Sequence, residues 1–167
     1  MSILAKNFSR RTSRGGTPLI VIAKSELDAD ERARFWAFAL HLAEHRKLQK
    51  QKKYQPFWLA HQYDVQVSNG GHLQYFHNCG MEGVGATLSI LAQIGARTQA
   101  VALAQCWDLA KRTPVHNVSS LEEYSALAQE RSFDEQDDMY FAASPPIQTL
   151  LEAYFESLIA ESVAVDD

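Results

Sequence analysis

The amino-acid sequence predicts an all-α protein, built as a single compact helical domain of six to eight helices. Two observations indicate this class. Apolar residues recur every three or four positions along most of the chain, which is the spacing of one helical face. Glycine, proline and capping residues interrupt this pattern at intervals that suit helices with short connections. The exception is the run Leu-Ile-Val-Ile at residues 19–22, which could form a short extended segment near the N-terminus.

Length and composition fit one domain. The chain has 167 residues, 46% of them hydrophobic, and this is enough for one sizeable core. We therefore expect a helical domain over residues 19–167, preceded by a flexible basic arm over residues 1–18. No apolar run reaches the roughly 18–20 residues of a membrane span, and the start lacks a signal-peptide core. From these two observations we expect a soluble cytoplasmic protein. The two cysteines are too few for a disulfide framework and are expected to be reduced.

Most of the predicted helices have a recognisable start or stop. Ser25, followed by Asp28, resembles a capping box at the start of the first long helix. Pro56 suits the first turn of the second helix, and Gly95 suits the left-handed end of a later one. Ser144-Pro145-Pro146 opens a C-terminal helix whose apolar positions repeat without a break. Helices are accordingly predicted at about residues 26–48, 56–67, a short segment closed by Gly80, 83–94, 96–111, 121–130, from 132 onwards, and 147–159.

The stretch 67–80 is the most distinctive in the chain. Asn69, Gly70 and Gly71 follow one another, and these residue types readily adopt positive φ, so we predict a corner between two helices. Gln74 and Asn78 lie four positions apart, share a helix face, and could hydrogen-bond each other or nearby backbone. The stretch is interpreted as a structural corner, with a ligand or partner site as the alternative.

This stretch also carries a family resemblance. Its pattern N-G-G-x-x-Q-Y-F-x-N-x-G resembles the signature of the bacterial DNA-mimic protein C-terminal-domain-like family, and the likeness extends over about residues 54–160. His72 stands where that family usually has an aromatic residue such as Phe, and Cys79 stands where it usually has Ser. The motif positions are Asn69, Gly70, Gly71, Gln74, Tyr75, Phe76 and Asn78.

Charge is distributed unevenly along the chain. Residues 1–60 carry 12 basic and 5 acidic side chains, whereas residues 114–167 carry 1 basic and 12 acidic side chains. The densest acidic run begins a predicted helix and exceeds what the positive end of a helix dipole needs. An acidic run is often only a solvated face, but it could also bind a basic protein. The candidate partner-binding carboxylates are Glu122, Glu123, Asp134, Glu135, Asp137, Asp138, Glu152 and Glu156.

One short pattern permits an enzymatic interpretation. The segment His41-Leu42-Ala43-Glu44-His45 matches the H-x-x-E-H motif of zinc hydrolases, in which two histidines bind the metal and a glutamate activates water. Such a site needs a third protein ligand, which the sequence does not indicate, and several lysines follow immediately. We therefore expect no metal and no cofactor, and keep a zinc site at His41 and His45 as a remote alternative.

The resemblance implies a non-catalytic protein that imitates DNA. Carboxylates on a rigid helical frame can imitate duplex phosphates and attract the basic groove of a DNA-binding protein. We expect a basic protein partner, with a DNA-binding transcription regulator as one candidate and no direct nucleic-acid or membrane binding. A homodimer would place two acidic faces side by side. The alternative is an immunity-like or other inhibitory protein that neutralises a basic toxin or enzyme.

Overall fold

The computed structural model describes residues 19–112, 120, 122–123, 126 and 133–166. Within them the chain forms nine α-helices and two short strands, which confirms the all-α class. The predicted arm at residues 1–18 and most of the predicted helix at 121–130 lie outside the described residues. In chain order the elements are β1 (Ile20–Ala23), α1 (Lys24–Ala29), α2 (Ala33–Glu44), α3 (Arg46–Gln49), α4 (Gln55–Cys79), α5 (Val84–Gln93), α6 (Arg97–Arg112), α7 (Asp134–Ala142), α8 (Ile147–Tyr154), α9 (Glu156–Ser162) and β2 (Val163–Asp166).

The chain divides into two compact units. The first holds β1, α1, the part of α2 that ends at Phe38, the part of α9 that starts at Ser157, and β2. Its two strands pair in parallel, with Ile20 opposite Val163. The extended segment predicted at residues 19–22 is therefore a strand, and its partner comes from the other end of the chain.

The single helix predicted over residues 26–48 is wrong, because the structure has three helices there. Asp30 ends α1 in an extended conformation, and its carboxylate accepts the backbone N–H of Arg32 at 2.8 Å. This local hydrogen bond competes with the helical one. His45, also non-helical, separates α2 from α3. The start is also different from the prediction, since the Glu26 carboxylate accepts the Ala23 N–H and Ser25 lies inside α1.

The C-terminal helix predicted over residues 147–159 is interrupted as well. Pro146 caps its start as expected, but Phe155 leaves helical geometry and separates α8 from α9. The predicted helix ends at Gly80 and Gly95 are confirmed, and both glycines have positive φ. The breaks in the two long predicted helices raise the number of helices among the described residues to nine.

The second unit, Ala39–Glu156, is organised around α4. This helix contacts α3, α5, α7 and α8, while α6 packs against both α5 and α7. Side chains fully buried in this unit include Phe57, Tyr63, Leu91, Leu103 and Leu151. None of the helices in the described residues is long and apolar enough to pass through a membrane.

Candidate functional site

The corner predicted at residues 69–71 is a break inside α4. Gly70 and Gly71 both leave helical geometry, and Gly71 has φ +71° and ψ −175°. Residues that have a Cβ atom rarely adopt this φ. A Cβ at Gly71 would also collide with the carboxylate of Asp137, which lies directly against the backbone there. Glycine is therefore required at position 71 both by its conformation and by the close approach of α7.

Asp137 uses this approach to cap the second half of α4. Its Oδ1 accepts the backbone N–H of His72 at 2.9 Å and lies 2.5 Å from His72 Nδ1. The break leaves the first N–H groups of the following helical segment without partners in their own helix. The carboxylate of Asp137 satisfies one of them, that of His72, as an N-cap does. A helix distant in the sequence thus supplies the cap that the local residues do not.

His72 extends this hydrogen-bonded network into the core. Its side chain is 0% exposed, whereas that of Asp137 is 25% exposed. Because a carboxylate only accepts hydrogen bonds, the Nδ1 atom that faces Asp137 carries a proton. On the other side of the ring, Nε2 lies 2.8 Å from the Tyr63 hydroxyl. The hydroxyl has a single proton to donate, and the Gln99 carbonyl oxygen is an acceptor within its reach at 3.3 Å. Burial raises the pKa of Tyr63 well above its ordinary value, so the hydroxyl keeps its proton.

A second contact ties α7 to the first half of α4. The Tyr140 hydroxyl donates to Asp64 Oδ1 at 2.5 Å and lies 3.0 Å from Ser68 Oγ. Burial raises the pKa of Tyr140, and the neighbouring Asp64 carboxylate raises it further. Asp137 and Tyr140 are three residues apart on the inward face of α7. This helix therefore bridges the break, with one contact on each side.

The polar motif residues bridge the same break on α4 itself. Gln74 and Asn78 do not bond each other, because both donate to Gln66 Oε1, at 3.1 Å and 2.6 Å. Gln66 precedes the two glycines and its partners follow them. The motif amides thus hold the two halves of α4 at a fixed angle.

The remaining motif residues pack or lie at the surface. Tyr75 is buried, its ring meets that of Tyr63 edge-on at 5.1 Å, and its hydroxyl donates to Thr87 at 3.3 Å. Phe76 is buried against Phe133. Asn69 is exposed beside the break. The motif therefore mainly supports the polar contacts within α4 and between α4 and α7. We call this set of contacts the framework.

The outward face of α7 presents the predicted acidic group. Asp134, Glu135 and Asp138 are exposed, whereas Asp137 points inward to His72. The four carboxylates of this run therefore divide into three at the surface and one that supports the framework. The positions 134, 135 and 138 fall on one side of a helix because residues four apart are neighbours. We call these three residues the acidic face.

The other predicted carboxylates lie on different segments. Glu122 and Glu123 are exposed, and the Glu123 N–H bonds the Ser120 hydroxyl at 3.1 Å, as the predicted capping box requires. Glu152 is half-buried on α8, and Glu156 is exposed at the start of α9. The structure therefore gathers three of the eight candidates on one helix face and distributes the rest.

The H-x-x-E-H histidines are arranged differently from metal ligands. His45 lies in the break between α2 and α3, and its ring stacks on that of His41 with centroids 4.0 Å apart. His45 Nδ1 lies 2.7 Å from the His41 carbonyl oxygen. In the part of the chain that the structure describes, no three His, Cys, Asp or Glu side chains are grouped as a metal site would require.

Sequence reasoning did not identify His72, Tyr63, Asp64 or Tyr140 as partners. Asp137 and Tyr140 do share a helical face, and this spacing was a usable signal of an inward polar stripe. Their partners lie 65 and 76 positions away, and no local pattern indicates which residues meet.

Together, fold and site define a helical protein whose polar framework holds an outward acidic helix. The family described as DMP19-like protein matches residues 51–158. The chain therefore belongs to the DMP19-like family, which is a family of DNA-mimic proteins. This confirms the resemblance predicted over about residues 54–160. No curated protein and no solved structure matches the chain.

Proposed function

We propose that this protein acts by binding, as a DNA mimic whose acidic face occupies the nucleic-acid surface of a basic, DNA-binding protein. Family membership supports the class of function. The observation that carries the proposal is the exposure of Asp134, Glu135 and Asp138 on a helix fixed from behind by Asp137 and Tyr140. Carboxylates held in place lose less conformational entropy on binding than mobile ones do.

The spacing of the acidic face is compatible with phosphate imitation. The four residue steps from Asp134 to Asp138 correspond to a rise of about 6 Å along the helix axis. Successive phosphates on one DNA strand rise about 3.4 Å along the duplex axis. The rise of the face along its helix axis is therefore comparable with that of about two phosphate steps along the duplex axis. The basic side chains that contact phosphates in DNA could contact the carboxylates instead.

The basis of recognition can be tested with charge-removal variants. The triple variant D134N/E135Q/D138N removes three charges from the acidic face and changes little in shape. The control E31Q/E44Q/E82Q removes three exposed charges elsewhere and gives the same net charge. Affinity capture from the native cell, with identification of the bound proteins, should recover a basic protein with wild type and control. Capture should weaken steeply as salt rises and should be lost with the triple variant.

A displacement assay then tests mimicry itself. The captured protein is bound to its own DNA, and increasing amounts of wild type or triple variant are added. Wild type and control should release the DNA, and the triple variant should not. Equal displacement by all three proteins would show that the acidic face is not what displaces the DNA. A captured basic enzyme or toxin with no affinity for DNA would contradict mimicry and favour the inhibitory role.

A further inference from the structure

A small pocket in the second unit adjoins the contact between Asp64 and Tyr140, and its cavity has no role assigned so far. It has a volume of about 200 Å³ and lies where α4, α6, α7 and α8 approach one another. Polar groups and apolar surfaces both contribute to its walls. The lining residues are Asp64, Ser68, Gln99, Tyr140, Phe141, Ala143, Pro146, Ile147 and Gln148.

The carboxylate of Asp64 in this pocket is only half satisfied. Asp64 is 3% exposed, and its Oδ1 accepts the Tyr140 hydroxyl. Its Oδ2 is buried and has no hydrogen-bond partner among the described residues. A buried polar atom without a partner costs about 1–3 kcal/mol, and more when the group is charged. A cationic ligand in the pocket that donates a hydrogen bond to Oδ2, with a small shift of the pocket wall to admit the donor, would recover that cost.

The mouth of the pocket adds an aromatic surface. Phe141 is 61% exposed, although large apolar side chains are usually covered. A cation that passes the ring of Phe141 on its way to Asp64 would meet the negative face of the ring first and the carboxylate second. An aromatic ring at the entrance and a buried carboxylate inside together favour a nitrogen cation.

The pocket also adjoins the acidic face along the sequence of α7. Asp138 and Phe141 are three residues apart and lie on the same outward side of the helix. On α8, Gln148 and Glu152 are four residues apart and share a side in the same way. Carboxylates of both helices thus stand next to lining residues of the pocket, where they would attract a cationic group towards it.

We propose that this pocket receives the guanidinium group of an arginine side chain from the basic partner. The inference rests on the proposed function, because it assigns a specific contact to that partner. A volume of about 200 Å³ is below the roughly 300–1,000 Å³ of pockets for drug-sized ligands, so it suits the end of a side chain. Guanidinium is preferred to ammonium because it stacks on aromatic rings and donates several hydrogen bonds in one plane.

Small probes test the pocket without the partner. Propylguanidinium is titrated into the protein, and backbone amide shifts of Ser68, Gln99 and Phe141 are followed by NMR. Saturable binding is expected, with no binding of the neutral analogue N-propylurea. Binding by n-butylammonium should be several-fold weaker. Chemical shifts that never saturate, or equal shifts with N-propylurea, would show that the pocket is not a cation-binding site. Equal or tighter binding of n-butylammonium would contradict the choice of arginine over lysine.

Two variants locate the binding. Asp64→Asn removes the charge but leaves an oxygen that can accept the Tyr140 hydroxyl, and it should weaken propylguanidinium binding at least tenfold. Phe141→Ala changes an exposed side chain, so the fold is retained, and it should weaken binding a few-fold. The acidic-face triple variant removes charges that lie outside the pocket, so it should weaken binding of the probe far less than Asp64→Asn does. Unchanged affinity in both pocket variants would contradict the proposal.

The partner supplies the last comparison, which separates the two proposals. With the captured protein, Phe141→Ala and Asp64→Asn should each lower affinity by about the factor seen with the probe. If these variants keep full affinity while the triple variant loses it, the acidic face stands and the arginine pocket fails. If the triple variant keeps the partner while the two pocket variants lose it, the acidic face fails and the arginine contact stands.

Discussion

Asp137 and His72, 65 residues apart in the sequence, are joined by two hydrogen bonds at the point where α4 is broken. One bond caps the backbone after the break, and the other orients a fully buried imidazole. The contact makes Asp137 different from the exposed carboxylates on either side of it. The acidic run therefore serves stability at one position and surface charge at the others.

Replacing Asp137 should lower stability far more than replacing its neighbour. Asp137→Ala leaves both the His72 N–H and the buried ring nitrogen without an acceptor, and this should lower the free energy of unfolding by about 2–4 kcal/mol. Asp138→Ala changes an exposed side chain and should alter it by less than about 0.5 kcal/mol. Urea unfolding followed by circular dichroism measures both. Similar losses in the two variants would show that the capping contact contributes little.

The two glycines of the break should respond differently to alanine. At Gly71 the new Cβ meets the Asp137 carboxylate in a backbone conformation that alanine disfavours, so Gly71→Ala should cost about 2 kcal/mol or more. At Gly70, φ is −168°, and the Cβ meets the end of the flexible Gln74 side chain, which can move. Gly70→Ala should therefore cost much less.

A double variant tests the reason for the difference. If the Cβ at position 71 acts by pushing Asp137 away, the losses from Gly71→Ala and Asp137→Ala overlap, and G71A/D137A should be less destabilised than their sum. If the two losses in unfolding free energy simply add, backbone strain alone would explain the loss in Gly71→Ala.

Gln66 should be needed for the angle between the two halves of α4. Gln66→Ala removes the oxygen that accepts both Gln74 and Asn78, and should lower the free energy of unfolding by about 1 kcal/mol. Gln62→Ala, one helical turn earlier, is the matched control and should be near neutral. Because the lost bonds cross the break, amide hydrogen exchange around residues 72–78 should also accelerate in the first variant. Equal exchange in both variants would contradict this role.

His61 should make stability depend on pH. Burial lowers its pKa from 6.5, and the nearby Asp64 offsets part of that effect. The folded state therefore favours the neutral ring, while the unfolded chain binds the proton as pH falls below about 6.5. This contribution to stability is present above pH 6.5 and is lost as pH falls through the lowered folded pKa.

The variant His61→Phe isolates this contribution. Phenylalanine can keep the stacking on Phe57, whose ring centroid lies 5.6 Å from that of His61. The difference in unfolding free energy between wild type and variant should be constant above about pH 7 and should shift in favour of the variant as the pH approaches about 5. If the unfolding free energies of the two proteins changed in parallel with pH, His61 would make no pH-dependent contribution to stability.

Local chemistry explains what could be predicted. The helical class, the corner at Asn69-Gly70-Gly71 and the helix ends at Gly80 and Gly95 depend on neighbouring residues, and the structure confirms them. The long helix predicted over residues 26–48 was wrong because its apolar spacing continues through Asp30 and His45, where the backbone turns away. Periodicity indicates a buried face but does not show whether the helix beneath it is continuous.

The sequence by itself determined that this chain is helical, where α4 bends, and that negative charge collects in its last third. Only the tertiary structure decided that Asp137 turns inward to His72 while Asp134, Glu135 and Asp138 stay outside. It also decided that Asp64 lines a pocket and that one of its oxygens has no hydrogen-bond partner within the described part of the chain. The physical reason is distance along the chain. A carboxylate's role depends on which groups the fold places against it, and those groups come from helices more than 60 residues away.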